Sequence, residues 1–371
     1  MVKIKKEKIK FKAFELKTPI TVGNTQYNNT YNYQVIDILF QNILKVPKDQ
    51  RKYKNNEVTF NLLKYKQSDN THIMQGIFST ARHGEVKETI NTETQEVIIE
   101  KEILPIEGVK NEIIFTIDKR SGLLLIQEDK LNHVISRSIL KLFINKHRSL
   151  IYPYIEQFNN EHLVKKATLS KRPFYTLTTL PPIDFFEKLK EFKSIKSGIL
   201  YINKSEKTEP TDVIKGLEEE LNDYEITDYD VEIKIKNKSP LGIKKAFEQY
   251  FKQVKELQKY DSYAIEGVTK VGSVKKITPD TFTREFEVLI EKNSSGLLNQ
   301  IQIVEEMQKI INSKANPLYN DEKENTFSST YLLKEVSDIQ NEIDKILSGY
   351  DKPQKTEEEK DEAREKAEVE A

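Results

Sequence analysis

The first half of the chain is a succession of short runs in which apolar and polar residues alternate, and that rhythm limits the fold more than any other feature. Alternation with period two places every second side chain on one face of a strand. Residues 8–13 show it most plainly, with Ile9, Phe11 and Ala13 on one side and lysines on the other. Residues 58–65, 72–78, 96–103, 112–117 and 123–127 read as further strands. The last two are joined by Asp118-Lys119-Arg120-Ser121-Gly122, a hairpin loop of the glycine-containing kind. Strands that succeed one another this closely pair antiparallel, and a doubly wound α/β sheet is not expected.

Helices punctuate and then close the pattern. A short one is expected over residues 33–44, and a longer one over 128–145, with Leu131, Ile135 and Leu142 on its apolar side. From Pro173 the order changes to strand 174–180, helix 183–192, strand 195–203, a helix ending near 221, strand 228–236, helix 241–258 and strands 260–269 and 282–291. Pro181-Pro182 and Pro240 sit where helices open. That order resembles two split βαβ units of the ferredoxin-like kind. A helix follows Gly296, and residues 331–347 carry Leu332, Leu333, Val336, Ile339, Ile343 and Ile346 at helical spacing. Such a stripe suits either self-association or packing on its own domain. The expected class is α+β. The expected domains are a β-rich unit over 1–172 ending in a basic helix, a ferredoxin-like unit over 173–312, a linker over 313–330, an association helix over 331–348 and a disordered charged tail over 349–371.

Composition narrows the chemistry. The 371 residues contain no cysteine, which removes disulfides, thiolate metal ligands and thiol nucleophiles. Charged residues make up 32% and mean hydropathy is −0.63, while no apolar run approaches the ~18 residues of a membrane span. The first residues lack the apolar core of a secretory signal, so a cytoplasmic protein without membrane partners is expected. Net charge is zero, but residues 1–17 carry +5, residues 130–172 carry +7 and residues 351–371 carry −4. A local basic face is compatible with that balance.

No phosphate-cradling glycine loop and no nucleophile elbow occurs, and the five histidines form no metal-binding pair. No cofactor, no structural metal and no catalytic residue is therefore expected. His83, between Arg82 and Gly84, is a loop histidine that could contact a phosphate or act as a base. Asp228, Asp230, Glu232 and Lys234 alternate on one strand as in a metal-dependent nuclease site. However, 42 Glu and 51 Lys among 371 residues give about six Glu-x-Lys triplets by chance, and the chain has six. A strand with one solvated face explains the same residues. Lys130, His133, Arg137, Lys141 and Arg148 recur at spacings that would line one helical face, with Lys165, Lys166, Lys171 and Arg172 downstream. Tyr152, Tyr154 and Phe158 offer rings on which bases could stack.

The run PFYTLTTLPPIDFFEKLKEFKSIKSGILYINK, the later DYDVEIKIKNKSPLGIKKAFEQYFKQ and the earlier IIFTIDKRSGLLLIQ resemble an uncharacterised bacterial family found in mobile elements and anti-phage defence loci. The likeness is one of element order and brings no catalytic motif. It implies a non-catalytic nucleic-acid-binding or sensing component of a defence system, acting with a partner protein of the same operon or as a homo-oligomer. A metal-dependent nuclease using residues 228–234, and an assembly protein that oligomerises through the C-terminal helix, are the alternatives.

Overall fold

The computed structural model describes residues 5–28, 30–84, 89–90, 97–98, 107–180, 192–203, 230–236, 262–270, 272–277, 283–293, 296–318, 331–333 and 337–350. Strand β1 (Lys6–Lys17) is the longest of the main sheet's first half and carries apolar residues on both faces. Ile9, Phe11 and Ala13 enter one core, while Phe14 and Leu16 enter another on the opposite side. After β1 in sequence come β2 (Ile20–Val22) and β3 (Thr25–Tyr27), a hairpin that belongs to a separate small sheet with β11 (Ala167–Leu169).

From β1 the main sheet runs through β10 (Leu123–Gln127), β9 (Asn111–Asp118), β6 (Ile73–Arg82) and β5 (Val58–Gln67) to the short β4 (Tyr53–Lys54). Every one of these pairings is antiparallel, as the short connections β4–β5, β5–β6 and β9–β10 require for those three. The pair β7 (Thr89–Ile90) and β8 (Val97–Ile98) stands apart. On its other edge β1 takes two strands from far along the chain. β12 (Thr176–Thr179) pairs with its C-terminal half, Phe14 opposite Thr179, and β17 (Glu285–Glu291) with its N-terminal half, Phe11 opposite Phe286.

Helices cover both faces. On the first lie α1 (Tyr33–Ile43), the single turn α2 (Lys48–Arg51), α3 (Arg137–Lys146), a 3₁₀ turn over Arg148–Ile151, α4 (Tyr152–Glu161) and, last in sequence, Ser337–Ser348. On the second lies α5 (Gln300–Ile311), burying Ile303, Met307, Ile310 and Ile311 against β1, β9 and β10; Ser337–Ser348 is α6. Side-chain caps start the helices: Asn32 accepts from the Gln34 N–H, Ser136 from that of Ile139, and Asn299 from those of Ile301 and Gln302. The first core centres on aromatic rings, with Phe78 stacked 4.0 Å from Phe115 and Phe143 meeting Phe60 edge-on at 5.1 Å. Gly76 makes room for that stack, since a Cβ there would lie 2.3 Å from the Phe115 ring and 2.5 Å from the Lys64 carbonyl.

One buried cation ties three elements together. The Arg51 guanidinium donates to the carbonyls of Leu44 and Val46, beyond the end of α1, and to that of Leu62 in β5. Its own carbonyl accepts from His147 Nε2 at 2.8 Å, at the end of α3. His147 is fully buried, and its Nδ1 has no hydrogen-bond partner, so only the neutral ring fits.

The α+β class is as the sequence leads one to expect, but its parts are joined differently. The boundary expected at 172/173 does not separate two sheets, because β12, β17 and α5 belong with β1. The strands β13 (Phe192–Asn203), β14 (Asp230–Lys236), β15 (Ser262–Thr269) and β16 (Val274–Ile277) form a second sheet in the order β14-β13-β15-β16. A split βαβ unit would have a third strand between β13 and β14, whereas here they pair directly and antiparallel. The expected helices at 183–192, 209–221 and 241–258, the strand at 96–103 except residues 97–98, most of the linker, and the tail from 351 lie outside the described residues.

The expected helix over 128–145 begins only at Arg137. Asp129 is the cause: its carboxylate accepts from the backbone N–H groups of Asn132 and Val134 and from Asn111 Nδ2, and His133 takes φ 52°. The stripe expected to drive association is covered by the chain itself. Leu333, Ile339 and Ile343 are buried in the first core. The Gln34 side chain also pairs with the Leu333 backbone, donating to its carbonyl and accepting from its N–H at 2.9 Å each. Tyr154, which accepts from Asn32, donates its hydroxyl to the same Gln34.

Two outcomes are expected in unfolding experiments. Gly76→Ala should cost about 3 kcal/mol in urea denaturation, because the new methyl meets a carbonyl that cannot move aside. His147 accepts a proton near pH 6.5 when unfolded and near 4 when folded, because burial disfavours the cation. Between those values the unfolded chain binds the extra proton, so stability held above 6.5 falls as pH drops, by about 3 kcal/mol in all. His147→Gln, which donates but does not titrate, should lose measurably less stability between pH 7 and pH 4.5.

Candidate nucleic-acid interface

The residues expected to form a basic helical face are not on one face. Lys130 lies in the Asp129 loop, where its ammonium donates to Glu7 at 3.0 Å and to the Lys8 carbonyl at 2.6 Å. Glu7 is shared with Lys292, and the two ammonium groups hold its carboxyl below the usual range. His133 is exposed on the same loop. Arg137 and Lys141 are half-buried on α3, whose exposed positions are Ser138, Leu142, Asn145 and Lys146. Arg148 falls in the 3₁₀ turn beyond it.

The downstream group is closer together, because Lys165, Lys166, Lys171 and Arg172 flank β11. Lys165 rests 5.6 Å over the Tyr331 ring, and Lys171 pairs with Glu156 and sits 5.3 Å over Tyr152. Lys166 turns the chain at φ 52°, with its carbonyl accepting from Gly23. Tyr154 and Phe158 are fully buried, so they give bases nothing to stack on. The acidic strand fares as its charge alternation implies. Glu232, Lys234 and Lys236 face solvent on β14, and Lys234 pairs across β13 with Glu266 at 3.1 Å. Asp228 lies outside the described residues. Among the described residues no three His, Cys, Asp or Glu side chains gather as metal ligands.

A further cationic surface is one that helical periodicity does not reveal. Residues 45–54, Lys-Val-Pro-Lys-Asp-Gln-Arg-Lys-Tyr-Lys, hold five cations against Asp49, a net +4 in ten residues. The fold sorts them. Arg51 turns inward onto the carbonyls of Leu44, Val46 and Leu62, while Lys45, Lys48 and Lys54 are exposed and Lys52 is half-buried. Lys146 arrives from α3 and closes the corner, donating to the carbonyls of Gln50 at 2.7 Å and Lys52 at 2.5 Å. Burial and the neighbouring Lys52 both lower its pKa.

His83, at the end of β6, borders this corner with Nε2 2.6 Å from Thr59 Oγ1. Its pKa is lowered by partial burial first and then by the charge of Lys54, with Lys52 adding to it. Among the described residues, none of Lys45, Lys48, Lys52 and Lys54 takes part in an ion pair. Like charges held together without a carboxylate partner cost free energy that a bound anion recovers. Tyr53, between Lys52 and Lys54 in sequence, is half-buried and packs against the first core. A charge count in a ten-residue window ranks this segment below residues 3–12, which carry +5 but whose Lys6, Lys8 and Lys10 pair with glutamates of β17.

No protein-family model matches the chain, and no curated protein matches it either. No helix among the described residues is long and apolar enough to cross a membrane.

The corner's field can be read directly from His83. Its imidazole, followed by NMR, should titrate below 6.5 at low salt. Lys54→Gln should move the midpoint upward, and added salt should shrink the difference between the two chains. A midpoint unaffected by Lys54→Gln would mean that the corner carries no concentrated field.

Proposed function

We propose that the protein is a non-catalytic nucleic-acid-binding component whose contact surface is the corner formed by α2 and β4. The observation that carries this reading is the set Lys45, Lys48, Lys52 and Lys54 around buried Arg51, with no carboxylate among the described residues pairing them. Phosphates satisfy such a surface without demanding a particular base sequence. Lys165, Lys166, Lys171 and Arg172 beside β11 form a second basic group, but Lys171 is already neutralised by Glu156. A role in anti-phage defence, alone or with a partner protein, is what the resemblance of residues 173–204 and 228–253 adds to the proposal.

The test is the salt dependence of binding to a duplex of mixed sequence. Four phosphate contacts give a slope of roughly −3.6 in log K against log salt. Replacing Lys45, Lys48, Lys52 and Lys54 together by alanine should remove a slope of about that size while leaving the melting temperature nearly unchanged, since exposed charges add little stability. Glu232→Ala should leave binding as it was. If the quadruple variant keeps the wild-type slope while Lys165, Lys166, Lys171 and Arg172 changed to alanine lose it, the contact lies at β11 instead. A chain with no affinity at low salt would end the nucleic-acid reading.

A further inference from the structure

The α2 corner continues onto the sheet. Lys54 of β4 lies directly opposite Thr59 of β5, so their side chains share one face, while Val58 and Phe60 on either side turn into the first core. Just past β6, the His83 ring reaches the same Thr59, with Nε2 2.6 Å from Oγ1. Three adjacent strands thus bring an ammonium, a hydroxyl and an imidazole together. Partial burial, and then the charges of Lys54 and Lys52, hold the pKa of His83 down, against a hydrogen bond to the Asn56 backbone that favours the cation. Glu57 and Glu107 meet this end of β6 through their backbones, the Glu57 carbonyl accepting from the His83 N–H at 2.8 Å and that of Glu107 from Gly84 at 3.3 Å. Arg82, next in the chain, donates to the Asn132 carbonyl at 3.1 Å.

The bond between His83 and Thr59 changes direction with the charge of the ring. A ring whose Nε2 carries no proton accepts from the Thr59 hydroxyl. The charged ring has a proton on each nitrogen and donates to Oγ1 instead, which frees the threonine proton for another acceptor on the face of Lys54. Protonation therefore adds a cation and a hydroxyl donor at one place. Lys54 and Lys52 oppose that cation, and an anion bound among them cancels the opposition.

We propose that Lys54, Thr59 and His83 form a phosphate subsite of the corner whose occupation takes up a proton, so that the chain holds a polyanion more tightly as pH falls. The polyanion rests on the nucleic-acid function proposed above, whereas the subsite itself requires only a phosphate-like anion. At high pH the ring is neutral with or without ligand and adds nothing. As pH falls, the complex gains the proton first, and affinity rises until the free chain is protonated as well. Each unit by which binding raises the midpoint of His83 is a factor of ten in affinity, so a rise of about half a unit to one unit gives roughly three- to tenfold.

Two measurements on the full chain decide the matter. In the first, His83 is titrated by NMR in sulfate, a phosphate-like anion whose charge is constant between about pH 5.5 and 8, and in chloride at the same ionic strength. Its midpoint should lie about half a unit higher in sulfate, and Thr59→Val should shrink that difference. In the second, the affinity for a fluorescent mixed-sequence duplex without terminal phosphates is measured at both ends of the same range, where its diesters do not titrate. The wild-type chain should bind roughly three- to tenfold more tightly at the acid end, and His83→Gln, which cannot titrate, should lose most of that gain. A midpoint no higher in sulfate than in chloride overturns the subsite, and a difference that Thr59→Val leaves intact overturns the part given to the hydroxyl. Duplex binding equally tight at both ends, or a pH dependence that His83→Gln keeps in full, overturns the proton coupling while the nucleic-acid function stands. A midpoint raised by sulfate in a chain with no affinity for the duplex upholds the subsite and overturns that function instead.

Discussion

The pairing of β1 on both of its edges is the constraint on which the other parts rest. One edge takes β10, a neighbour by way of the main sheet, and the other takes β12 and β17 end to end. Because β1 lies inside the sheet, both its faces need cover, and its residues supply apolar side chains to both. The helical layer containing α1, α3, α4 and α6 covers one face, and α5 the other. Ion pairs between the lysines of β1 and the glutamates of β17, such as Lys8–Glu287 and Lys10–Glu285, fit the outer register but are exposed and add little energy. Burial of Ile9, Phe11 and Ala13 beneath α5 is the larger contribution.

Much of this was legible locally and little of it globally. Period-two alternation identified β1, β5, β6, β9 and β10, and the loop ending at Gly122 marked the β9–β10 hairpin. Those signals lie within each element. Which strand lies beside which depends on complementary surfaces hundreds of residues apart, so β12 and β17 were grouped with β13 to β15 on sequence order alone. The C-terminal stripe shows the same limit. Its apolar spacing made a packing helix legible, but only the buried Leu333, Ile339 and Ile343, and the pairing of Gln34 with the Leu333 backbone, show that the partner is its own chain.

The basic surface illustrates why spacing misleads where a helix does not persist. Lys130, His133, Arg137 and Lys141 would share a face only if residues 128–141 were helical throughout. Asp129 offers its carboxylate to two backbone N–H groups, and that local competition ends the regularity before Ser136 restarts it. The lysines of residues 45–54 have no period at all. Their clustering comes from Pro47 and the single turn of α2, with Arg51 drawn inward to hold stray carbonyls and the others left outside. A short, irregular segment anchored by one buried cation concentrates charge more tightly than the helical face that the spacing implied.

The long-range pairing of β1 also has a meaning for how the chain comes into being. Lys6 lies opposite Glu291, so the N-terminal part of that edge of β1 stays open until a further 285 residues have been made. At ribosomal rates of ~5–20 residues per second, that wait is roughly 15–60 s. During it, an apolar strand with unpaired backbone groups is exposed to other nascent chains. The alternating lysines of β1 are well placed for that interval, because repulsion between like-charged edges discourages two unfinished copies from pairing with each other. The charges that later meet the glutamates of β17 thus act first as guards for a molecule still under construction.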